Sequence, residues 1–157
     1  KGYNTIYSLN PHDEAGRIDW DPEGFERLYK RFTGKIRENE SKISRTQGFW
    51  LDDAESVIIA YGSEVRPARE AAQMLREEGK KIGVLQLCNV WPVPEGAIAE
   101  VASQVGHIFA LEMNLGKYVG EIRRVVKDRC PVTSVTKNRG LVHTPWEVCA
   151  AVREVLK

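Results

Sequence analysis

Apolar side chains in the first third of this chain follow helical spacing at one place. Five of them recur at intervals of three and four residues, which predicts a helix with one apolar face that runs to about Glu40. Asp21 can cap this helix, and Pro22 suits its first position. The five positions are Phe25, Leu28, Tyr29, Phe32 and Ile36. Because the rest of the helix surface is charged, we expect the apolar face to cover another part of the protein.

Short apolar runs alternate with amphipathic segments from about residue 54 onward. The run SVIIAYG has the continuous apolar character of a parallel strand that is covered on both faces. The helix after it starts near Val65 and ends near Gly79, since glycine favours helix termination. Thr144 and Glu147 form a capping box at the start of the last helix. Further strands are predicted in KIGVLQLC, HIFALEM and VTSVTK, and further helices in VPEGAIAEVASQVG, KYVGEIRRVVKDR and TPWEVCAAVREVL.

This alternation predicts a three-layer αβα sandwich, in which helices cover both faces of a mostly parallel sheet. We place the boundary at residue 50. Residues 1–50 then form an interdomain connector, extended over YSLNPHDEAGRIDW and followed by the amphipathic helix, and residues 51–157 form the α/β domain. Ligands of such sheets bind at the edge where the loops after the strands gather. Candidate chemistry is therefore sought in the loops GSEVRPA, NVWPVPE, NLGKY and KNRGLVHTP.

Composition narrows the classes of function. The 157 residues include 23 basic and 22 acidic side chains, so no net field favours nucleic acid or an anionic membrane. The chain has neither an apolar stretch of roughly 18 residues nor a signal-peptide pattern, and we expect a cytoplasmic protein. Three scattered cysteines argue against a disulfide framework or an iron–sulfur ligand set. Because the first residue is Lys1, we expect the chain to be part of a longer polypeptide.

The turn after the first strand is a candidate anion site. Ser63 and Arg66 flank a helix start, where backbone N–H groups and the helix dipole favour anions. Gly62 is the only glycine of this turn, however, and neither the dinucleotide-binding nor the P-loop pattern is present. We therefore predict that the turn only caps its helix.

Two other loops carry side chains that could act in function. Trp91 stands next to Pro92 and is suited to an interface or to closing a pocket, although packing against the domain's own helices is favoured at least as strongly. Glu112 ends a predicted strand with Asn114 and Lys117 in reach. A single carboxylate is weak evidence for acid–base catalysis, so we favour a helix cap or a local salt bridge. The three histidines lack metal-ligand spacing, and no nucleophile has an evident base.

Two long phrases carry a family resemblance. AESVIIAYGSEVRPAREAAQMLREEGKKIGVLQLCNVWPVPEGAIAEVASQV and LEMNLGKYVGEIRRVV closely resemble the carboxyl-terminal region of the alpha subunit of 2-oxoacid:ferredoxin oxidoreductases. The upstream HDEAGRIDWDPEGFERLYKRFTGKIREN resembles the connector of that subunit, most closely in the 2-oxoglutarate branch. The resemblance implies a transketolase carboxyl-terminal-like fold, in agreement with the periodicity.

The same resemblance implies the cofactors and partners of the whole enzyme. It implies oxidative decarboxylation of a 2-oxoacid to an acyl-CoA, with thiamine diphosphate, magnesium, an iron–sulfur cluster and coenzyme A, and with ferredoxin as electron acceptor. The implied partners are the amino-terminal half of the alpha subunit, a beta subunit and, in some enzymes, a gamma subunit. The magnesium and diphosphate signature does not occur in this chain, and no catalytic residue of the family can be carried onto it. We expect the chain itself to bind no cofactor or metal.

The leading hypothesis is therefore a packing and assembly domain that docks through its loop edge. The predicted interface residues are Gly62, Ser63, Arg66, Pro67, Trp91, Pro92, Glu112 and Asn114. One alternative is a regulatory module that binds a nucleotide or coenzyme A at the Gly62 turn. Another is the equivalent domain of a transketolase or of an E1 beta chain.

Overall fold

A computed structural model describes residues 11–13 and 15–156 of the protein. The described chain forms two compact units, of which the first ends at Ile43 and the second begins at Ser44. The part of the predicted connector that precedes Pro11 lies outside the described residues.

The first unit contains the predicted amphipathic helix. Helix α1 spans Pro22–Arg37, and the Asp21 carboxylate accepts a hydrogen bond from the Gly24 backbone N–H at 3.0 Å, which confirms the predicted cap. The helix ends three residues before the predicted Glu40, because a turn at residues 38 and 39 separates it from the short helix α2, Glu40–Ile43. Three aromatic side chains of its apolar face are about half exposed, namely those of Phe25, Tyr29 and Phe32.

The second unit is a five-stranded sheet between two layers of helices. The sheet order is β1-β3-β2-β4-β5, and every neighbouring pair is parallel except β1 with β3. The strands are β1 (Thr46–Phe49), β2 (Ser56–Tyr61), β3 (Ile82–Leu87), β4 (His107–Glu112) and β5 (Val132–Thr136). The helices are α3 (Val65–Glu77), α4 (Glu95–Gln104), α5 (Val119–Val126) and α6 (Pro145–Val155). The predicted three-layer fold and its four strand–helix alternations are confirmed.

Alternating side chains of the central strands divide the core into two layers. Ile58 of β2 and Phe109 of β4 pack with α3 and α6 on one face. Ile59 and Ile108, their neighbours in sequence, pack with α4 and α5 on the other face. All four side chains are at most 1% exposed. Burial on both faces explains why these strands appear in the sequence as continuous apolar runs.

Strand β1 was missed by the sequence prediction. Its sequence TQGF is short and polar, and each of its residues is at least partly exposed, as is common for an edge strand. β1 pairs with β3 from Thr46↔Leu87 to Phe49↔Val84, so the sheet begins before residue 51. The predicted division at residue 50 thus assigns a strand of the sheet to the connector.

The connections give the sheet a switch point between β2 and β4. The chain leaves β2 through α3 on one face and leaves β4 through α5 on the other, so the loops at the ends of these adjacent strands diverge. In open α/β sheets a crevice at such a point is the usual ligand site.

Candidate functional site

The loops that follow the four parallel strands form one edge of the second unit. We call this surface the carboxyl-terminal edge. It consists of residues 62–64, 88–94, 113–118 and 137–144, with the first turn of the helix after each loop. All eight predicted interface residues belong to it or lie directly behind it.

Glu112 lies at the switch point and caps a helix. Its side chain is buried, with 1% exposed, at the end of β4. The carboxylate accepts hydrogen bonds from the backbone N–H groups of Tyr118 (2.9 Å) and Val119 (3.0 Å), the first groups of α5. The predicted helix cap is confirmed. A carboxylate at a helix start is stabilised by the partial positive charge there, so Glu112 holds the loop between β4 and α5 in place.

Tyr61 and Asn114 complete a network around this carboxylate. The Tyr61 hydroxyl donates to Glu112 Oε2 (3.3 Å) and accepts from Asn114 Nδ2 (2.9 Å). Asn114 Oδ1 in turn accepts from the backbone N–H groups of Gly116 and Lys117. Burial, and then the charge of Glu112, raises the pKa of Tyr61. The polar side chains at the switch point are thus bonded to one another and to the chain's own backbone.

Tyr118 connects this network to the neighbouring loop. Its hydroxyl donates to the backbone carbonyl of Val90 at 3.1 Å, and its ring packs edge-on against that of Tyr61 with 5.3 Å between centroids. Burial raises the pKa of Tyr118 to about 12. The hydrogen bond to Val90 thus joins the loops after β3 and β4.

A buried pair of Glu64 and His143 was missed by the sequence prediction. Glu64 is 2% and His143 is 7% exposed. Glu64 Oε2 lies 3.0 Å from His143 Nδ1, and Glu64 Oε1 accepts from the His143 backbone N–H at 3.3 Å. The pair joins the turn after β2 to the loop after β5. The two residues are far apart in the sequence and only the strand order brings them together, so no local signal could reveal the pair.

The Gly62 turn differs in detail from the predicted cap. Residues Gly62–Glu64 form a 3₁₀ turn that runs directly into α3, and Gly62 has a φ of +56°. No side chain caps α3, because the Glu64 carboxylate turns inward to His143 instead. The turn therefore leads into α3 without a side-chain cap. Ser63 and Arg66 are exposed beside the turn, whereas Pro67 is buried in the first turn of α3.

Trp91 projects from a well-anchored loop. Asn89 Oδ1 accepts from the Arg45 backbone N–H at 2.7 Å, and Asn89 Nδ2 donates to the Pro92 carbonyl at 3.0 Å. The Trp91 side chain is 64% exposed, and Pro92 is half-buried behind it. Of the two alternatives for Trp91, this exposure favours an interface over packing against the domain's own helices.

Apolar side chains are concentrated on the carboxyl-terminal edge. Nine large apolar side chains are exposed in the described part of the second unit, and only Trp50 and Val155 lie elsewhere. The seven on the edge are Val90, Trp91, Met113, Leu115, Leu141, Val142 and Trp146. Such a concentration of exposed apolar side chains on one edge indicates an interaction surface.

The described residues do not fit an iron–sulfur cluster or a metal ion. Cys130 packs in the layer of α4 and α5 and Cys149 in the layer of α3 and α6, on opposite faces of the sheet, while Cys88 is exposed. A cluster needs its thiolates around one point. Within residues 11–13 and 15–156, no group of three or more His, Cys, Asp or Glu side chains could hold a metal. In the same ranges, no helix is both long and apolar enough to span a bilayer.

Comparison with known proteins gives consistent matches. The family model of pyruvate:ferredoxin oxidoreductase core domain II matches residues 54–148. A 2-oxoglutarate synthase subunit KorA from Methanothermobacter marburgensis is 36% identical over 94% of this chain and 40% of its own length. The KorA of Methanocaldococcus jannaschii is 36% identical over 97% of this chain and 41% of its own length. The chain thus spans about 40% of the length of these relatives.

Two solved structures share the fold. One is the 2-oxoglutarate:ferredoxin oxidoreductase from Magnetococcus marinus with 2-oxoglutarate, coenzyme A and succinyl-CoA bound. It aligns with 98% of this chain and 27% of its own, at a TM-score of 0.77 and 22% identity. The other is a split-gene transketolase in an inactive beta4 tetramer, which aligns with 70% of this chain and 41% of its own, at a TM-score of 0.57 and 27% identity. Both likenesses agree with the predicted transketolase carboxyl-terminal-like fold.

Proposed function

Because this chain belongs to the family of pyruvate:ferredoxin oxidoreductase core domain II, we propose that it is the carboxyl-terminal part of the alpha subunit of a 2-oxoglutarate:ferredoxin oxidoreductase. The observation that carries this proposal is the 36% identity to 2-oxoglutarate synthase subunits over nearly the whole chain. The reaction would convert 2-oxoglutarate and coenzyme A to succinyl-CoA and carbon dioxide, and ferredoxin would accept the electrons.

The chemistry of this reaction belongs to parts of the enzyme outside this chain. The three cysteines do not fit a cluster, and the carboxylates of Glu64 and Glu112 are buried and engaged within the chain. Thiamine diphosphate, magnesium, the iron–sulfur cluster and coenzyme A would accordingly bind to the amino-terminal half of the alpha subunit and to the companion subunits. The beta subunit and, where present, a gamma subunit are the proposed partners.

The role of this chain is to pack against those parts through its carboxyl-terminal edge. The concentration of exposed apolar side chains on this one edge supports the role. Of the predicted interface residues, Gly62, Ser63, Arg66 and Trp91 are exposed and could contact a partner directly. The buried or half-buried members would hold these loops in place, namely Pro67, Pro92, Glu112 and Asn114.

The activity is tested on the assembled enzyme. The subunit that contains this chain is tagged and purified under anaerobic conditions with its companions, and reduction of a viologen dye is followed. We expect reduction to require both 2-oxoglutarate and coenzyme A, and to be slower with pyruvate or 2-oxoisovalerate. An intact complex that turns over none of these acids would refute the proposal.

The assembly role is tested by retention of the companion subunits. Trp91→Ala and Arg66→Glu should weaken retention about tenfold or more, because a few central side chains dominate protein interfaces. Val155→Ala and Lys127→Glu are matched controls, since both residues are exposed at the opposite ends of their helices. If the edge variants retain companions as well as the controls do, the carboxyl-terminal edge is not the docking surface.

A further inference from the structure

Every exposed charge that is unpaired on the carboxyl-terminal edge is positive. Arg66, Lys117 and Arg139 are exposed, and none of them takes part in an ion pair among residues 11–13 and 15–156. Because the chain as a whole has nearly equal numbers of basic and acidic residues, this arrangement is not a result of composition.

The acidic side chains within this edge are buried or paired with a cation. Glu64 and Glu112 are buried against His143 and against the start of α5, respectively. Glu147 pairs with Lys137 at 2.8 Å, and Glu95 (2.7 Å) and Glu121 (2.8 Å) both pair with Arg124. Each exposed carboxylate of the described edge therefore already contacts a cation, whereas the three cations named above have no such contact.

Helix dipoles add to the positive potential. Helices α3 to α6 all begin at this edge, and their amino-terminal ends carry partial positive charge. The starts of α3 and α4 have no side-chain cap, and the Glu95 carboxylate in the first turn of α4 offsets part of the charge at that end.

We propose that the carboxyl-terminal edge binds a protein surface with an apolar centre and a rim of Asp and Glu carboxylates, located in the enzyme outside residues 1–157. The apolar side chains, of which Leu115 is 75% exposed, would form the centre of the contact, and the three cations would pair with the rim. Interfaces are complementary in charge, and such pairs guide association and set specificity. This inference rests on the proposed function.

A second copy of this edge does not fit as the partner. A two-fold symmetric contact would place the same patch on both sides and bring the cations of the two copies together. An anionic membrane is the remaining rival. It suits apolar and basic residues on a single amphipathic helix, whereas here they are spread over four loops of a rigid sheet edge.

Zero-length cross-linking of the assembled enzyme gives a direct test. A carbodiimide joins a lysine amine to a carboxylate that touches it, and peptide mass spectrometry identifies both sides. We expect Lys117 to be joined to an Asp or Glu outside residues 1–157. Lys127, exposed at the other end of α5, is the control and should form no such link. Links only between two copies of this chain, or links at Lys127 and not at Lys117, would overturn the proposal.

Charge reversal tests the energetic role of the cations. The double variant Lys117→Glu, Arg139→Glu should bind the companion subunits at least about tenfold more weakly than the wild type. Its affinity should also depend less on salt concentration than the affinity of the wild type does. Leu115→Ser should also weaken binding, whereas Lys127→Glu and Val155→Ser should not. Equal affinities of the double variant and the wild type would overturn the proposal. So would charge-dependent binding to phosphatidylserine vesicles without cross-links to protein.

Turnover of 2-oxoglutarate by the same wild-type preparation separates the two conclusions. If the enzyme oxidises 2-oxoglutarate but its assembly does not depend on these charges, the acidic partner is refuted and the proposed function is not. A complex that forms through these charges but oxidises no 2-oxoacid refutes the proposed function instead.

Discussion

At the residue scale, buried polar groups hold the carboxyl-terminal edge together. Glu112 and Glu64 are almost completely buried carboxylates: Glu112 accepts from the start of α5 and from the Tyr61 hydroxyl, and Glu64 is bonded to His143 of the loop after β5. A buried acceptor that loses its partners is costly, so such groups define one arrangement of the loops. They act as supports for a surface whose contacts are made by their exposed neighbours.

Replacing Glu112 should destabilise the chain markedly. In Glu112→Gln, an amide NH₂ group faces one of the two backbone N–H donors of α5, so a hydrogen bond to a charged acceptor is lost. We expect the free energy of unfolding to fall by about 2 kcal/mol, measured by urea denaturation followed by circular dichroism. Glu100→Gln, at an exposed position of α4, is the control and should change it by less than about 0.5 kcal/mol. Equal stabilities of the two variants would show that the cap contributes little.

Glu147 should contribute to stability in a defined pH range. Hydrogen bonds from the Lys137 ammonium, and then from the Thr144 backbone and hydroxyl, lower the pKa of Glu147 from 4.5 to about 2. Because the folded-state pKa lies below the unfolded one, the contribution is complete above pH 4.5 and is lost as the pH falls towards 2. The stability difference between wild type and Glu147→Gln, measured by urea denaturation at each pH, should therefore shrink across this range. In a Lys137→Gln background the pKa of Glu147 should be lowered less, so the pH range over which the difference shrinks should be narrower. A stability difference that is constant down to pH 2 would contradict the lowered pKa of Glu147.

At the scale of elements, the edge strand β1 is the least evident part of the sheet. It completes the β3 side through four antiparallel residue pairs, and Arg69 of α3 lies over the Phe49 ring at 4.1 Å from its centroid. These contacts attach the segment after Ile43 to the α/β unit. We therefore propose that the folding unit includes residues 44–50, which the sequence prediction assigned to the connector.

Two shortened chains test this proposal. The free energy of unfolding of a chain of residues 51–157 should be roughly 1 to 4 kcal/mol lower than that of a chain of residues 44–157. Each of the four lost cross-strand pairs contributes about 0.2–1 kcal/mol. It should also self-associate through the uncovered edge of β3, which light scattering would detect. If the two chains had equal free energies of unfolding and the same oligomeric state, the boundary at residue 50 would be supported.

At the scale of the whole molecule, the carboxyl-terminal edge is where polar networks, exposed apolar side chains and unpaired cations occur together. Within the described residues, Tyr61, Glu112 and Asn114 form one hydrogen-bond network at the switch point, the place where open α/β sheets usually bind ligands. The exposed apolar side chains and the unpaired cations gather on the same edge. This distribution suits a domain that binds other domains of an oxidoreductase, and it agrees with the 40% share of the relatives' length that the chain spans.

The sequence by itself determined the three-layer fold, the positions of α3 to α6, and the caps at Asp21 and Thr144, because helical and strand periodicity and capping are local properties of the chain. Only the tertiary structure decided the strand order, the place of β1, the pair of Glu64 with His143, and the separation of charge on the carboxyl-terminal edge. These features depend on which distant loops become neighbours. That choice follows from the packing of the whole sheet, and no short stretch of sequence encodes it.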